Sequence, residues 1–225
     1  MALKSDQEER HNLIAQLKER QGDLARVMSE VGIADDKMPL DEGIKQPLPD
    51  LSSQTSQIKT PTMNAKDSIR GTMDMSLFVL KTYFGDMSDA ELMQHPGPGC
   101  QHLAWQLGHL ISSEAHLLST VCPGAAAELP AGFIENHSKE AQDCDDAAKF
   151  CTKQQYIDLF DKTRAATLAA LEALPDARLD EPAPEAFRSF CPTVGALFGL
   201  IGTHPMMHAG QFVPVRRALG KPVVI

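Results

Sequence analysis

From residue 64 onward, apolar side chains recur every three or four positions in four separate stretches, each closed by a proline or a glycine, and strand-like alternation is essentially absent. That period puts apolar residues on one face of a helix, so four stripes must be buried against one another. The clearest stretch is 154–174, with Tyr156, Leu159, Phe160, Thr163, Thr167, Leu171 and Leu174 inward and Pro175 at its end. Residues 64–84 carry Ile69, Met73, Leu77, Leu80 and Phe84 along one side, with Asn64 as a cap. A third helix is predicted over 100–121, stopped by Cys122-Pro123-Gly124, and a fourth over 192–219, opened by Pro192 and ended by Gly220. Between them, 88–93 reads as a short helical turn and 123–150 as an acidic, irregular connection with short helical pieces. Only Val223-Val224-Ile225 reads as extended. The chain is therefore expected to be all-α, a four-helix bundle with one long connection.

Ahead of the bundle, residues 6–31 place Leu13, Leu17, Leu24, Val27, Met28 and Val31 at helical spacing. The predicted organisation is an N-terminal amphipathic helix (1–31), a linker rich in Pro, Asp, Ser, Thr and Gln (32–62), and the bundle (63–222). The N-terminal stripe needs a partner, either the bundle or a second chain, and a homodimer is the expected assembly. A formal charge of -9 argues against nucleic acid as a partner, because phosphate neutralisation needs clustered Lys and Arg. Arg216 and Arg217 are read as complementing a helix dipole. Five cysteines without a CxxC pair suit a reducing compartment. With neither a signal-peptide core nor an apolar run of about 20 residues, the expected location is cytoplasmic and off the membrane.

The chemistry concentrates in Gly202-Thr203-His204-Pro205-Met206-Met207-His208-Ala209-Gly210-Gln211. Two histidines four apart lie on one helical face, about 6 Å apart along the axis, so both imidazoles can converge on one ion. Neutral imidazole suits zinc, nickel, copper and iron alike. A third ligand must come from His11, His95, His102, His109, His116 or His137. His102, His109 and His116 repeat every seven residues along about 20 Å of helix, so only one of them can reach the pair.

Trp105-Gln106-Leu107-Gly108-His109-Leu110, followed by His204, His208, Ala209-Gly210-Gln211 and Arg216-Arg217-Ala218-Leu219-Gly220, resembles the DinB-like (DinB/YfiT) superfamily over roughly residues 64–222. The resemblance implies an up-down-down-up four-helix bundle holding a divalent metal through His109, His204 and His208. Relatives in that superfamily include thiol-cofactor-dependent transferases and isomerases, which implies a low-molecular-weight thiol as cofactor and a small molecule as substrate; the expected ion is zinc or nickel, with iron a further candidate. Metal-assisted hydrolysis is equally open to such a site, since three histidines leave a coordination position free. The alternative is a non-catalytic metal-binding or stress-associated bundle acting through protein association. Neither HExxH nor paired ExxH motifs occur, which removes zincin-like proteases and di-iron carboxylate sites.

Other polar residues have plainer expected roles. His102 and His116 read as structural or surface residues, and Glu114 as a solvated helix residue or an acceptor behind a ligand. Gln211, one turn beyond His208, is positioned to bond a ligand or a histidine. Met73, Met75, Met206 and Met207 read as core filler, with the last two as alternative pocket walls, and Cys100 and the other cysteines as inert thiols. Pro205 removes a helical N–H and disfavours α geometry at His204, which predicts a local kink. Deleting residues 1–32 should either expose a patch on the bundle or dissociate a dimer. Light scattering separates the two outcomes, and an unchanged mass and stability would refute both.

Overall fold

The computed structural model describes residues 62–223. The predicted 6–31 helix and nearly all of the 32–62 linker lie outside the described residues. Six α-helices are seen among those residues: α1 (Ala65–Phe84), α2 (Asp89–Leu92), α3 (Leu103–Val121), α4 (Phe133–Asn136), α5 (Lys153–Ala173) and α6 (Val194–Ala218). No strand occurs among them, only an isolated bridge between Pro182 and Thr193. None of the described helices is long and apolar enough to cross a membrane.

Local chemistry sets the helix starts. Asn64, Ser88 and Thr152 each accept from the third helical N–H, while the side chain at that third position returns a bond to the cap. Two predicted starts move inward. α3 begins at Leu103 because the His102 imidazole Nδ1 accepts from Trp105 N–H at 3.0 Å. α6 begins at Val194, since the Thr193 hydroxyl caps Ala196 N–H and leaves Pro192 outside the helix.

Cross-helix contacts give the topology. Arg70 meets Glu172 and Lys81 meets Asp161, so α1 and α5 run antiparallel. A Cβ on Gly202 would lie 3.3 Å from Thr72 and Met73, and Arg216 reaches Tyr83 and Asp86; α1 and α6 are therefore parallel and closely apposed. One core cluster joins the starts of α3 and α5 (Leu103, Leu107, Tyr156, Phe160) to the ends of α1 and α6 (Phe84, Phe212). The other joins the ends of α3 and α5 (Leu118, Val121, Leu171) to the start of α6 (Val194, Leu197, Phe198). The order is up, down, down, up, and the 122–152 connection spans the bundle because α3 and α5 point the same way.

Arg216 and Glu114 depart from the sequence expectation. Arg216 does not merely complement a helix dipole: it is fully buried, donates to the Tyr83 and Pro222 carbonyls and grips both oxygens of Asp86. That guanidinium holds the Asp86 carboxyl below its ordinary range. Glu114 is not solvated either. It is 5 % exposed and takes a bidentate pair from Arg164, with both N–O distances 2.9 Å, while Arg164 also donates to the Met73 carbonyl. The pair thus joins α3, α5 and α1. Removing one member strands a buried charge, so Arg164→Met should lower unfolding stability by about 3–5 kcal/mol in urea titrations. The double variant Glu114→Leu/Arg164→Met should recover most of that loss.

Candidate metal centre

His109 on α3 and His204 and His208 on α6 come together, with one nitrogen of each ring within 4.8 Å of the others. Ring centroids are 5.3 Å apart for His109–His204, 5.5 Å for His109–His208 and 5.0 Å for His204–His208. α3 and α6 run antiparallel, so one residue of α3 can face two residues a turn apart on α6. The helix continues through Pro205, and His204 still meets His109 and His208.

Burial keeps these rings neutral. It pushes His208 down to about 3, helped by the charges of His204 and His109, and His204 down to about 4, helped by His109. His109 is lowered by burial as well. Each ring therefore offers a lone pair at neutral pH, the form a metal requires. The His208 Nδ1–H donates to Gln106 Oε1 at 2.9 Å, and the Gln106 amide is itself oriented by donating to the Gln101 carbonyl at 2.8 Å. That arrangement leaves the His208 Nε2 lone pair free. Among the described residues, the His109 and His204 ring nitrogens have no hydrogen-bond partner, so their lone pairs are not committed elsewhere. Ligands of a tetrahedral ion at about 2.0 Å would lie roughly 3.3 Å apart, within reach by side-chain rotation. The donor set fits a divalent ion.

Trp105 fixes the orientation of His109. The two rings stack at 4.9 Å with planes 6° apart, one helical turn apart on α3. Trp105 Nε1–H also donates to the Ser138 carbonyl at 3.1 Å, tying the long connection to the same turn. Gly108 makes this docking feasible, since a Cβ there would fall 2.0 Å from His137 Cδ2. His137 is 2 % exposed; its Nδ1–H donates to the Phe133 carbonyl and its Nε2 accepts from Tyr156 O–H at 2.9 Å.

The remaining expected residues fall elsewhere. His102 is a buried structural residue, with Nδ1 capping α3 and Nε2–H donating to the Cys144 carbonyl. His116 is exposed about two turns from His109 along α3 and contacts Phe187 rather than the triad. His95 pairs with Asp145. Glu114 belongs to Arg164, and Gln211 makes none of the described bonds to the histidines; Gln106 takes that role. Met73 is core, but Met75, Met206 and Met207 are exposed rather than core filler. Met75 and Met206 border a groove of about 430 Å³ between α1 and α6. The described cysteines are unpaired, and burial pushes Cys122, Cys151 and Cys191 upward. Gln106 and Trp105 were detectable in the sequence as residues three and four before His109, spacings that share a helical face.

A four-helix bundle with antiparallel helices presenting three neutral imidazoles defines the class. The profile of the DinB superfamily matches residues 78–212, a span that includes all three histidines, and the chain belongs to that superfamily. A conserved protein from Enterococcus faecalis shares the fold at a TM-score of 0.54 and 19% identity, covering 71% of this chain and 99% of that one. YfiT from Bacillus subtilis, described as a probable metal-dependent hydrolase with an unusual four-helix bundle topology, aligns at a TM-score of 0.48 and 17% identity, over 70% of this chain and 89% of that one. No curated protein matches the sequence.

His137 gives a pH test of the packing around the centre. Burial lowers its pKa from the usual 6.5 to about 4, so between those values the unfolded chain binds the proton and the folded one does not. Its contribution is complete above about pH 6.5 and is lost as pH falls through 4, a change of about 3 kcal/mol. Urea unfolding from pH 8 to pH 4 should show this slope reduced in His137→Gln relative to the unmodified protein. Equal slopes would mean that His137 is protonated in the fold.

Proposed function

We propose that this DinB-superfamily protein is a metal-dependent enzyme in which His109, His204 and His208 hold one divalent ion, zinc or nickel ahead of iron. It acts on a small molecule by thiol-dependent transfer or by hydrolysis. The observation that carries this reading is the meeting of three neutral imidazoles, two of them without protein partners, at the junction of α3 and α6. A divalent ion held there would act as a Lewis acid and lower the pKa of a coordinated water or thiol, making it nucleophilic at neutral pH.

The chain's own residues prepare the centre. Gln106 holds the His208 ring in the tautomer whose Nε2 is an acceptor, Trp105 sets the His109 plane, and burial keeps protons off all three rings. The cluster contains no carboxylate, and Glu114 is neutralised by Arg164. That lack of an assigned general base is the observation favouring the second reading, a non-catalytic metal-binding bundle. A low-molecular-weight thiol, a cytoplasmic location and a homodimer without nucleic-acid partners complete the proposal.

Elemental analysis of untagged protein should find one divalent ion per chain, lost in His109→Ala and His208→Ala. Gln106→Leu should retain the fold and weaken metal affinity about 10–100-fold. Turnover of electrophilic acceptors only with added thiol would establish transfer, and turnover of simple amides or esters would establish hydrolysis. A stoichiometric ion with no turnover of any of these would favour the non-catalytic bundle, and metal content indifferent to both histidine variants would overturn the ligand assignment.

A further inference from the structure

α3 has a second functional face. Trp105, His109, Ser112, His116 and Ser119 follow one another at intervals of four, three, four and three residues, which places them on one stripe. Trp105 at its start is buried, whereas His116 further along is exposed. The stripe forms one wall of a cavity of about 710 Å³ whose other wall comes from the 122–152 connection, through Ala126, Ala127, Leu129, Ile134 and Lys139. A volume of this size accommodates a small organic molecule. His109 belongs to the triad and also lines this cavity, which His204 and His208 do not, so a molecule lodged here meets the centre through His109.

Three features describe what the cavity accepts. Leu129 and the alanines, with Ile134 left 58 % exposed at the rim, suit an apolar body. The Ser112 hydroxyl is buried and lacks a hydrogen-bond partner among the described residues. A buried hydroxyl without a partner is unfavourable, and a polar group of a ligand that reaches it would supply one. The charge is also one-sided: among the described residues no acidic side chain lines this cavity, whereas Lys139 does. Lys139 thus gives the lining a positive charge that an anionic group of a ligand can meet, with Glu140 beside it in sequence but outside the lining.

We infer that this cavity is the organic-substrate pocket beside the triad and that it selects a carboxylate-bearing small molecule with an apolar body. Lys139 receives the carboxylate and Ser112 bonds a polar group nearer His109. The role as substrate rests on the proposed metal-dependent activity; the binding preference does not.

Trp105, the single tryptophan of the chain, lines the cavity and reports its occupancy. Titrating the full chain with octanoate should change Trp105 emission saturably, octan-1-ol should bind more weakly, and octylamine should give no saturable change. Lys139→Gln, at an exposed position that leaves the fold intact, should weaken octanoate by about fivefold and remove its advantage over octan-1-ol. Ala127→Phe should weaken the response by narrowing the cavity. Repeating the octanoate titration on chelator-treated His208→Ala separates the two readings. Saturable octanoate binding there, alongside unmodified protein that carries no ion, would sink the metal reading and leave the pocket standing. One ion per chain with no saturable response to octanoate, or with octylamine bound as tightly, would overturn the pocket and spare the metal centre.

Discussion

The buried Glu114–Arg164 pair is the constraint around which the bundle is arranged. Arg164 on α5 spans the core, takes both oxygens of Glu114 on α3 and donates to the Met73 carbonyl of α1, so one guanidinium sets the spacing of three helices. Desolvating two charges is tolerable only when their hydrogen bonds are met in good geometry, and the bidentate arrangement meets them. The consequence for chemistry is indirect. Glu114 and His204 border the same small gap, yet the carboxylate is committed to Arg164, and the histidine cluster is left as an all-imidazole donor set.

α3 links the core, the metal centre and the cavity. Its apolar face closes two core clusters, its Gln106 orients His208 across the α3–α6 junction, and its outer stripe faces a cavity roofed by the long connection. The connection is held there by specific contacts. Trp105 donates to the Ser138 carbonyl, and His137 packs on the bare backbone of Gly108, where any side chain would collide. Thus the residue before His109 is small for a steric reason that lies about thirty positions further along the chain. The up-down-down-up order makes this possible, since parallel α3 and α5 oblige the chain between them to traverse the bundle.

Much of the fold was legible from periodicity. The four principal helices stand where apolar spacing and breakers place them, with ends shifted by a few residues where a side-chain cap, His102 or Thr193, intervenes. The HxxxH spacing announced a shared face on α6, and the Trp-Gln-x-Gly-His run marked the facing turn of α3. Burial of polar groups was not legible in the same way. Glu114, Arg164, Arg216 and His137 look like solvated residues in a helix or a connection, and each is buried because its partner lies on another element. The exposed Met75, Met206 and Met207 err in the opposite direction, because a helical stripe shows which face is apolar and not whether another helix covers it.

By itself the sequence determined the helices, because their apolar period and capping chemistry are local, and it determined that two imidazoles share one face of α6, because an i,i+4 pair is set by helix geometry. Spacing alone left His102, His109 and His116 open, the family resemblance implied His109, and only the tertiary structure shows His109 meeting that pair. The three lie on one stripe of α3, and the choice among them depends on where along their axes two antiparallel helices cross. That depth is set by core packing, which is not written in the spacing of either helix.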